Sequence, residues 1–396
     1  MQKPRELIII LILFLVQFID VLDFMIVMPL GPDFAIDLRI PHSRLGLLAS
    51  SYTLAAAFAG ILSSTIVDKY ERKRLFIFTL IGLILANIFS ANAWNFNSLL
   101  FSRFLAGVFG GPMTSICFAI VADLFEDKRR GAVMGKIMSG FSFAAILGVP
   151  IGLKLSTNFG WSFSFYTVAL LGVVTCILIF FYMPEITEHL ESAKTNKVSY
   201  RSLFSDSSYV LAFVTAFFGS MAAFMVIPYI SPFLQLNMGF PRQNIEMIYF
   251  IGGIGSFFAM HITGKIIDKT SSTLTSIISN LFILFTLILG FILAIPTIPV
   301  IVVFASFMIG MSIRNVSNYT LFSKVPHLND RAGFMSVISC VQHLSASAGA
   351  IATSLIVAEY NNRLEYMNIA AIIALLLFLL GTISLSKVER KVRVKE

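Results

Sequence analysis

Apolar runs long enough to cross a bilayer recur from one end of this chain to the other. A helix rises about 1.5 Å per residue, so a membrane span needs roughly 20 mostly apolar residues. The chain is 57% hydrophobic and 13% charged, which is far from the composition of soluble globular proteins. We therefore predict an all-α integral membrane protein with twelve transmembrane helices. The predicted spans are residues 7–30, 44–67, 75–94, 98–122, 132–154, 161–183, 207–231, 244–267, 273–295, 300–322, 333–357 and 365–386.

The two halves of the chain resemble each other. Pro32 recurs as Pro232 and Asp68 recurs as Asp268, both at an offset of 200 residues and each at the same end of the equivalent span. Two pseudo-symmetric halves related by an axis along the membrane normal suit a rocking transporter. The predicted organisation is an N-terminal six-helix bundle over 1–183, a polar cytoplasmic linker over 184–206 and a C-terminal six-helix bundle over 207–396.

Basic residues follow the positive-inside pattern. With the N-terminus inside, 22 of the 29 Lys and Arg residues lie at the inner face and five at the outer face. This orientation predicts a multi-pass protein of the cell (inner) membrane with both termini in the cytoplasm. An anionic lipid surface then accounts for the net charge of +8, so no nucleic acid partner is expected. Trp94 and Trp161 fall at predicted outer span ends, where interfacial aromatic residues are expected.

Polar and ionisable side chains interrupt the first apolar run. Gln17, Asp20 and Asp23 are three residues apart, which places them on one face of a helix. A charged side chain at the bilayer centre costs between about 3 and over 10 kcal/mol, and such residues usually mark ion or substrate pathways. This favours a functional role, and the alternative is two structural carboxylates paired within the bundle.

Three segments resemble motifs of the major facilitator superfamily, and within it of the twelve-span drug/proton antiporters that include sugar-efflux exporters. The loop at 64–73 keeps the acidic residue and the basic pair of the pattern Gly-x-x-x-Asp-Arg-x-Gly-Arg-Arg, but Ser and Glu replace its two glycines. A degenerate copy lies at 264–269. The end of the first span, 23–30, and the span-four segment 103–107 match two further motifs. The resemblance covers the whole chain and implies the superfamily's fold and a transport function.

A fourth resemblance lies in the fifth span. Gly140, Ala144, Gly148 and Gly152 repeat every four residues, and Pro150 lies among them. Such a seam lets helix backbones approach closely, and the proline predicts a kink. The order Gly-Val-Pro-x-Gly resembles the antiporter motif, which has no equivalent in the second half. Ordinary membrane packing is the alternative explanation.

The resemblance implies that the first and fourth spans line a central cavity. Asp23 and Arg103 lie at similar depths, roughly 10 Å and 7–8 Å inside the outer ends of their spans. We predict an Asp23–Arg103 pair that exchanges on protonation, because a nearby guanidinium favours an ionised carboxylate and burial disfavours it. A permanent ion pair is the alternative, and Asp20 is the second candidate for the proton-coupling site.

Spans ten and eleven also carry polar side chains. An arginine there suits an anionic group on a ligand, or a carboxylate of the protein as part of a second charge site. A hydrogen-bonded packing role is an equal alternative for His343. The candidates for substrate binding are Gln17, Arg314, Asn318, Tyr319, Gln342 and His343.

The resemblance further implies a gate at the inner face, where the loop after the second span docks near the start of span eleven. A carboxylate at a helix N-terminus is stabilised by about 0.3–1 kcal/mol, which suits a reversible latch. The candidate gating residues are Asp68, Arg72, Lys73 and Asp268.

Together these features favour a proton-coupled antiporter that exports small organic molecules by alternating access. Its expected partners are the substrate, protons and the lipid bilayer, and we expect a monomer without metal or cofactor. An importer or facilitator and a lipid flippase remain alternatives on the same scaffold. A membrane-embedded acyltransferase is the alternative from another class, but the five histidines are scattered. Because no phosphate-binding glycine-rich loop is present, ATP-driven transport is not expected.

Overall fold

A computed structural model of the chain describes residues 3–66, 69–187, 203–267, 269–294, 299–327 and 330–395. Within these ranges, twelve helical stretches are long and apolar enough to cross a membrane, as the sequence predicts. The described residues of 1–39 and 51–197 form one compact unit, and those of 40–50 and 198–396 form a second.

The first half is built from nine helices in the described ranges. They are α1 (Lys3–Ile26), α2 (Gly31–Asp37), α3 (Leu45–Ile66), α4 (Arg72–Ala91), α5 (Phe96–Gly110), α6 (Met113–Leu124), α7 (Asp127–Phe143), α8 (Val149–Phe159) and α9 (Ser162–Tyr182). The fourth span consists of α5 and α6, and the fifth consists of α7 and α8.

The second half continues with six helices and one hairpin among the described residues. They are α10 (Ser207–Leu236), α11 (Ile245–Ile267), α12 (Ser272–Thr286), α13 (Val300–Phe322), α14 (Arg331–Ile356), β1 (Ala358–Tyr360), β2 (Arg363–Glu365) and α15 (Met367–Lys395). The strands are antiparallel and turn at Asn361 and Asn362, whose φ angles are 48° and 58°. Asparagine tolerates positive φ better than most residues, which suits it to a tight hairpin turn. The hairpin is not predicted from the sequence.

The first helix is shorter than the first apolar run. α1 ends at Ile26 rather than at the predicted residue 30, and α2 begins at Gly31 with Pro32 in its first turn. Pro29 has no backbone N–H and clashes with a helical carbonyl, so the chain turns here although it stays apolar. The carboxylates of α1 therefore lie closer to the helix end than the length of the run suggests.

The small-residue seam of the fifth span packs against α1. A Cβ added at Gly140 would lie 3.0 Å from the backbone nitrogen of Phe18, and one at Gly148 would lie 2.8 Å from Leu22 Cδ1. Between α7 and α8 a π-helical turn, Ala144–Gly148, precedes Pro150 in the first turn of α8. A π turn is a common cause of helix bending, so it supplies the irregularity expected near the proline.

The two tryptophans differ in their surroundings. Trp94 is 70% exposed, as expected for an interfacial residue, but Trp161 is only 6% exposed. The Trp161 indole Nε1 donates to Asp37 Oδ2 at 2.8 Å, and its ring packs edge-on against Phe34. Trp161 therefore lies at the span end that the sequence predicts, directly before α9, but its ring is buried under α2 rather than exposed.

Candidate functional site

A buried ion pair joins α1 to α5. Arg103 Nη1 lies 2.8 Å from Asp23 Oδ1, and the two side chains are 1% and 0% exposed. Arg103 Nη2 donates to Ser90 Oγ on α4 at 2.6 Å, and its guanidinium carbon lies 4.9 Å from the centre of the Phe165 ring on α9. These contacts offset part of the cost of removing the guanidinium from water. The two groups meet as the sequence predicts, and their exchange on protonation stays a prediction.

Neither member of this pair uses its full hydrogen-bonding capacity. Asp23 Oδ2 and Arg103 Nε have no hydrogen-bond partner among the described residues. The contact is a single hydrogen bond rather than the two parallel bonds of the strongest guanidinium–carboxylate pairs. One carboxylate oxygen can therefore accept a proton or a second donor.

The second carboxyl group, Asp20, lies one turn before Asp23 and is 9% exposed. The Tyr52 hydroxyl on α3 donates to Asp20 Oδ1 at 3.3 Å. No lysine or arginine of the described ranges pairs with this carboxyl. A Cβ at Gly110 would lie 2.8 Å from Asp20 Oδ1, so the glycine leaves room for the contact. Without a cation, a buried carboxyl group is cheaper to hold as the neutral acid than as the anion.

The third polar residue of α1, Gln17, is 4% exposed. Its Oε1 accepts a hydrogen bond from the Thr114 hydroxyl on α6 at 3.2 Å. The polar face predicted for α1 is therefore turned toward α3, α5 and α6. We call Gln17, Asp20, Asp23, Tyr52 and Arg103 the first-half cluster.

The second unit buries an arginine as completely as the first. Arg314 on α13 is 1% exposed, and its Nη1 donates to Asn280 Oδ1 at 3.1 Å and to Thr382 Oγ1 at 3.4 Å. Its guanidinium carbon lies 4.9 Å from the centre of the Phe378 ring on α15. Nε and Nη2 have no hydrogen-bond partner, and no carboxylate of the described residues pairs with this arginine. We call Arg314, Asn280, Phe378 and Thr382 the second-half cluster.

The other candidates for substrate binding fall into two environments. Asn318 is 6% exposed, one turn from Arg314, and its Oδ1 has no partner in the described part of the chain. Tyr319 is 46% exposed and donates to Gln342 Oε1 on α14 at 3.0 Å. His343 is partly buried on α14. Arg314 and Asn318 thus share a buried face, whereas Tyr319 does not belong to it.

Two of the four candidate gating residues can be located. Arg72, at the start of α4, is 4% exposed, and its Nε lies 3.0 Å from Asp123 Oδ2 on α6. The Lys73 ammonium donates to a backbone carbonyl of α9 at 3.0 Å. Asp68 and Asp268 lie outside the described residues, so their gating role stays a prediction.

Several neutral residues in or beside the two clusters are not predicted from the sequence. Tyr52, Ser90 and Thr114 are common side chains in apolar helices, and nothing in the sequence marks them. Phe165 and Phe378 each stack on a buried arginine, with the guanidinium carbon at the same 4.9 Å from the ring centre. Their positions in the sequence could have indicated these contacts. They occupy nearly equivalent positions when the two halves are aligned on their arginines.

The two clusters combine carboxyl and guanidinium groups with neutral polar side chains. Among the described residues, no group of three or more His, Cys, Asp or Glu side chains could hold a metal ion. The three cysteines are all free thiols. A carboxyl group that can change its charge beside a fixed ion pair can take up and release a proton.

Solved structures share this fold at low sequence identity. A bacterial homologue of the human lysosomal transporter Spinster matches 98% of each chain with 15% identity and a TM-score of 0.77. A D-xylose–proton symporter matches 96% of this chain and 97% of its own with 13% identity and a TM-score of 0.78. The nucleoside transporter NupG matches 96% and 99% with 15% identity and a TM-score of 0.76. At these identities the likeness is one of fold alone.

The amino-acid sequence gives the family. The uncharacterized MFS-type transporter YtbD of Bacillus subtilis (strain 168) is 28% identical over 238 residues, and the match covers 60% of each chain. The model of the Major Facilitator Superfamily matches residues 13–350. With its twelve apolar helices, this chain is a multi-pass membrane protein and belongs to the major facilitator superfamily, whose members transport small molecules.

Proposed function

We propose that this transporter is a proton-coupled antiporter, which exports small organic molecules while protons enter. The observation that carries the proposal is the environment of Asp20. This buried carboxyl group has no cation beside it among the described residues and lies one turn from the buried Asp23–Arg103 pair. Buried ionisable groups that face the interior of a helix bundle are typical of proton pathways.

In this proposal Asp20, the second candidate from the sequence, carries the proton in place of Asp23, and the Asp23–Arg103 pair stays ionised. When Asp20 is protonated, the charges of the first-half cluster cancel. When it is ionised, the cluster holds one buried negative charge in excess, which favours reprotonation, hydration or a bound substrate. Protonation of Asp23 instead would leave Arg103 buried without a counter-charge, which is the more expensive change.

Other parts of the chain receive supporting roles in the same proposal. The seam of Gly140, Gly148, Pro150 and Gly152 sets the position of α1, and Arg72 belongs to the inner gate. The protein acts as a monomer in the cell membrane with both termini in the cytoplasm, and its partners are substrate, protons and lipid.

Proton flux in proteoliposomes tests the proposal. Vesicles with a pH gradient and a trapped pH dye receive tetraphenylphosphonium, norfloxacin, arabinose, leucine or benzoate in turn. Wild type, Asp20→Asn and Asp33→Asn are compared, because Asp33 is a carboxylate of the same unit that lies on α2 and accepts a hydrogen bond from the Ser156 hydroxyl. We expect at least one compound to drive proton movement in wild type and in Asp33→Asn, but not in Asp20→Asn.

Three other outcomes would contradict the proposal in different ways. Normal coupling in Asp20→Asn would move the proton site to Asp23. Proton and substrate movement in the same direction would make the protein an importer. Substrate equilibration without proton movement in wild type would make it a facilitator.

A further inference from the structure

We propose that the second-half cluster is a binding site for a monovalent anionic group, and that this group is the carboxylate of a transported molecule. The assignment of the carboxylate to a transported molecule rests on the proposed function. The anion site itself rests only on the surroundings of Arg314.

Arg314 is a buried cation whose counter-charge is missing. It is 1% exposed, and the two side chains that accept its hydrogen bonds, Asn280 and Thr382, are both neutral. Arginine stays protonated in proteins, so it cannot escape the cost of burial by losing its proton. A buried charge without a partner costs several kcal/mol, and an anion that binds beside it would recover part of that cost.

The unused edge of the guanidinium has the geometry that carboxylates prefer. Nε and Nη2 are adjacent donors, and both lack a hydrogen-bond partner in the described ranges. This is the edge that binds the two oxygens of a carboxylate through parallel hydrogen bonds. Nη1, which is engaged with Asn280 and Thr382, holds the plane of the group in place.

Two glycines from different helices face this edge. A Cβ at Gly219 on α10 would lie 3.2 Å from Nε and 3.4 Å from Nη2, and a Cβ at Gly381 on α15 would overlap with Nη2. A side chain at Gly381 would therefore overlap with the guanidinium, whereas a methyl group at Gly219 would make a tight contact with it and a larger side chain would cover the free donors. The two glycine backbones pack against this edge without offering it an acceptor, so a ligand would reach the free donors when α10 and α15 separate.

A comparison of the two clusters shows that the described surroundings of Arg314 lack a carboxylate. Arg103 and Arg314 each lie 4.9 Å from the centre of a phenylalanine ring and are each 1% exposed. Arg103 binds the carboxylate of Asp23, but Arg314 binds no carboxylate of the described residues. The missing component is thus one carboxylate. With one guanidinium and no second cation beside it, the site suits a monoanion better than a phosphate dianion.

Ligand binding to the purified full-length chain in detergent tests the site without a membrane or a gradient. Unfolding is followed with a thiol-reactive dye, since Cys117 is buried and Cys176 and Cys340 are partly buried. The probes are sodium benzoate, its neutral isostere benzamide, and sodium chloride, each titrated in a zwitterionic buffer. We expect benzoate to raise the unfolding temperature of wild type in a saturable manner and benzamide to leave it unchanged.

Four variants locate the effect. Arg314→Gln removes the cation, and Arg314→Lys keeps the charge but loses the paired donors, so we expect the affinity for benzoate to fall about tenfold or more in both. Gly219→Asp introduces a carboxylate next to Nε and should abolish the response. Gly219→Ala adds the same Cβ without charge and should retain the response, with weaker affinity.

An equal benzoate response in wild type and Arg314→Gln would overturn the site. A failure of wild type to respond to benzoate and chloride would do the same. A response to chloride alone that disappears in Arg314→Gln would support the anion site and overturn the carboxylate assignment. Because binding needs no proton gradient, a positive result here with no proton flux in vesicles would reject only the proposed antiport.

Discussion

Two buried arginines, one in each unit, show how similar surroundings can leave a cation with or without a counter-charge. Arg103 is bonded to Asp23, to the Ser90 hydroxyl and to the face of a phenylalanine ring. Within the described ranges, Arg314 contacts a phenylalanine ring and donates hydrogen bonds to two neutral side chains. The arginine of the first cluster therefore has its counter-charge within the protein, whereas the described residues provide no counter-charge for the arginine of the second.

The difference separates two roles that a buried cation can have. A guanidinium with its own carboxylate keeps that carboxylate ionised. In the proposed function the neighbouring Asp20 then binds and releases the proton. A guanidinium without one is a fixed positive charge, which attracts an anion whenever the site opens. A transporter with both clusters can couple proton movement in one half to anion recognition in the other.

The largest contrast should come from replacing the arginines by a residue of similar length. Arg103→Met leaves Asp23 as an uncompensated buried charge and should cost about 3–5 kcal/mol of stability. Arg314→Met removes an unpaired charge and should leave stability unchanged or raise it. The unfolding temperature in detergent measures both, and equal destabilisation by the two variants would show that Arg314 has a counter-charge after all.

The next contrast lies between the two aspartates of α1. Asp23→Asn removes a charged hydrogen bond and leaves Arg103 unpaired, so we expect a loss of about 1.5–3 kcal/mol. Asp20→Asn keeps an acceptor for Tyr52 and removes no cation contact, so its stability should stay near wild type. A larger loss of stability in Asp20→Asn than in Asp23→Asn would contradict the assignment of the fixed pair.

The packing of α1 against the small-residue seam of the fifth span can be tested at Gly140. Gly140→Val forces side-chain atoms against the backbone near Phe18 and should cost about 1–3 kcal/mol. Gly135→Ala is the matched control in the same helix, since nothing lies within 4 Å of its added Cβ. The control should gain up to about 1 kcal/mol from helix propensity. If Gly140→Val left the stability unchanged, the seam would not be what holds α1 and its carboxylates in position.

The smallest effects should come from the rings. Phe165→Leu and Phe378→Leu each remove a desolvated cation–π contact of up to about 2 kcal/mol. The loss should be greater for Phe378→Leu, because Arg314 has no carboxylate to hold it. Thermal unfolding of the two variants side by side measures the difference, and a greater loss at Phe165 would argue against an unpaired Arg314.

Much of the first-half cluster could be predicted, because charge inside an apolar run is conspicuous. The spacing of Gln17, Asp20 and Asp23 gives their common face, and Arg103 lies at a depth in its predicted span similar to that of Asp23. Tyr52 could not be predicted as the partner of Asp20, because which residue of α3 faces α1 depends on helix rotation and packing rather than on hydrophobicity.

Three other features of the structure cannot be predicted from the hydropathy of the sequence. The apolar run continues past Ile26, so only the stereochemistry of Pro29 ends α1. Trp161 lies at a span end, but its burial depends on the fold of α2 over it. Arg314 could be selected as a candidate from its charge, yet its lack of a carboxylate is a property of the three-dimensional surroundings, since Asp and Glu occur throughout the sequence.

Proton release on substrate binding tests the central claim about Asp20 most directly. The purified chain in weakly buffered detergent solution with a pH dye receives the compound that drives proton flux in vesicles, and the protons released per protein are counted. We predict release from wild type and from Asp33→Asn, and none from Asp20→Asn although the compound still binds. Release from Asp20→Asn equal to that from wild type would contradict the account.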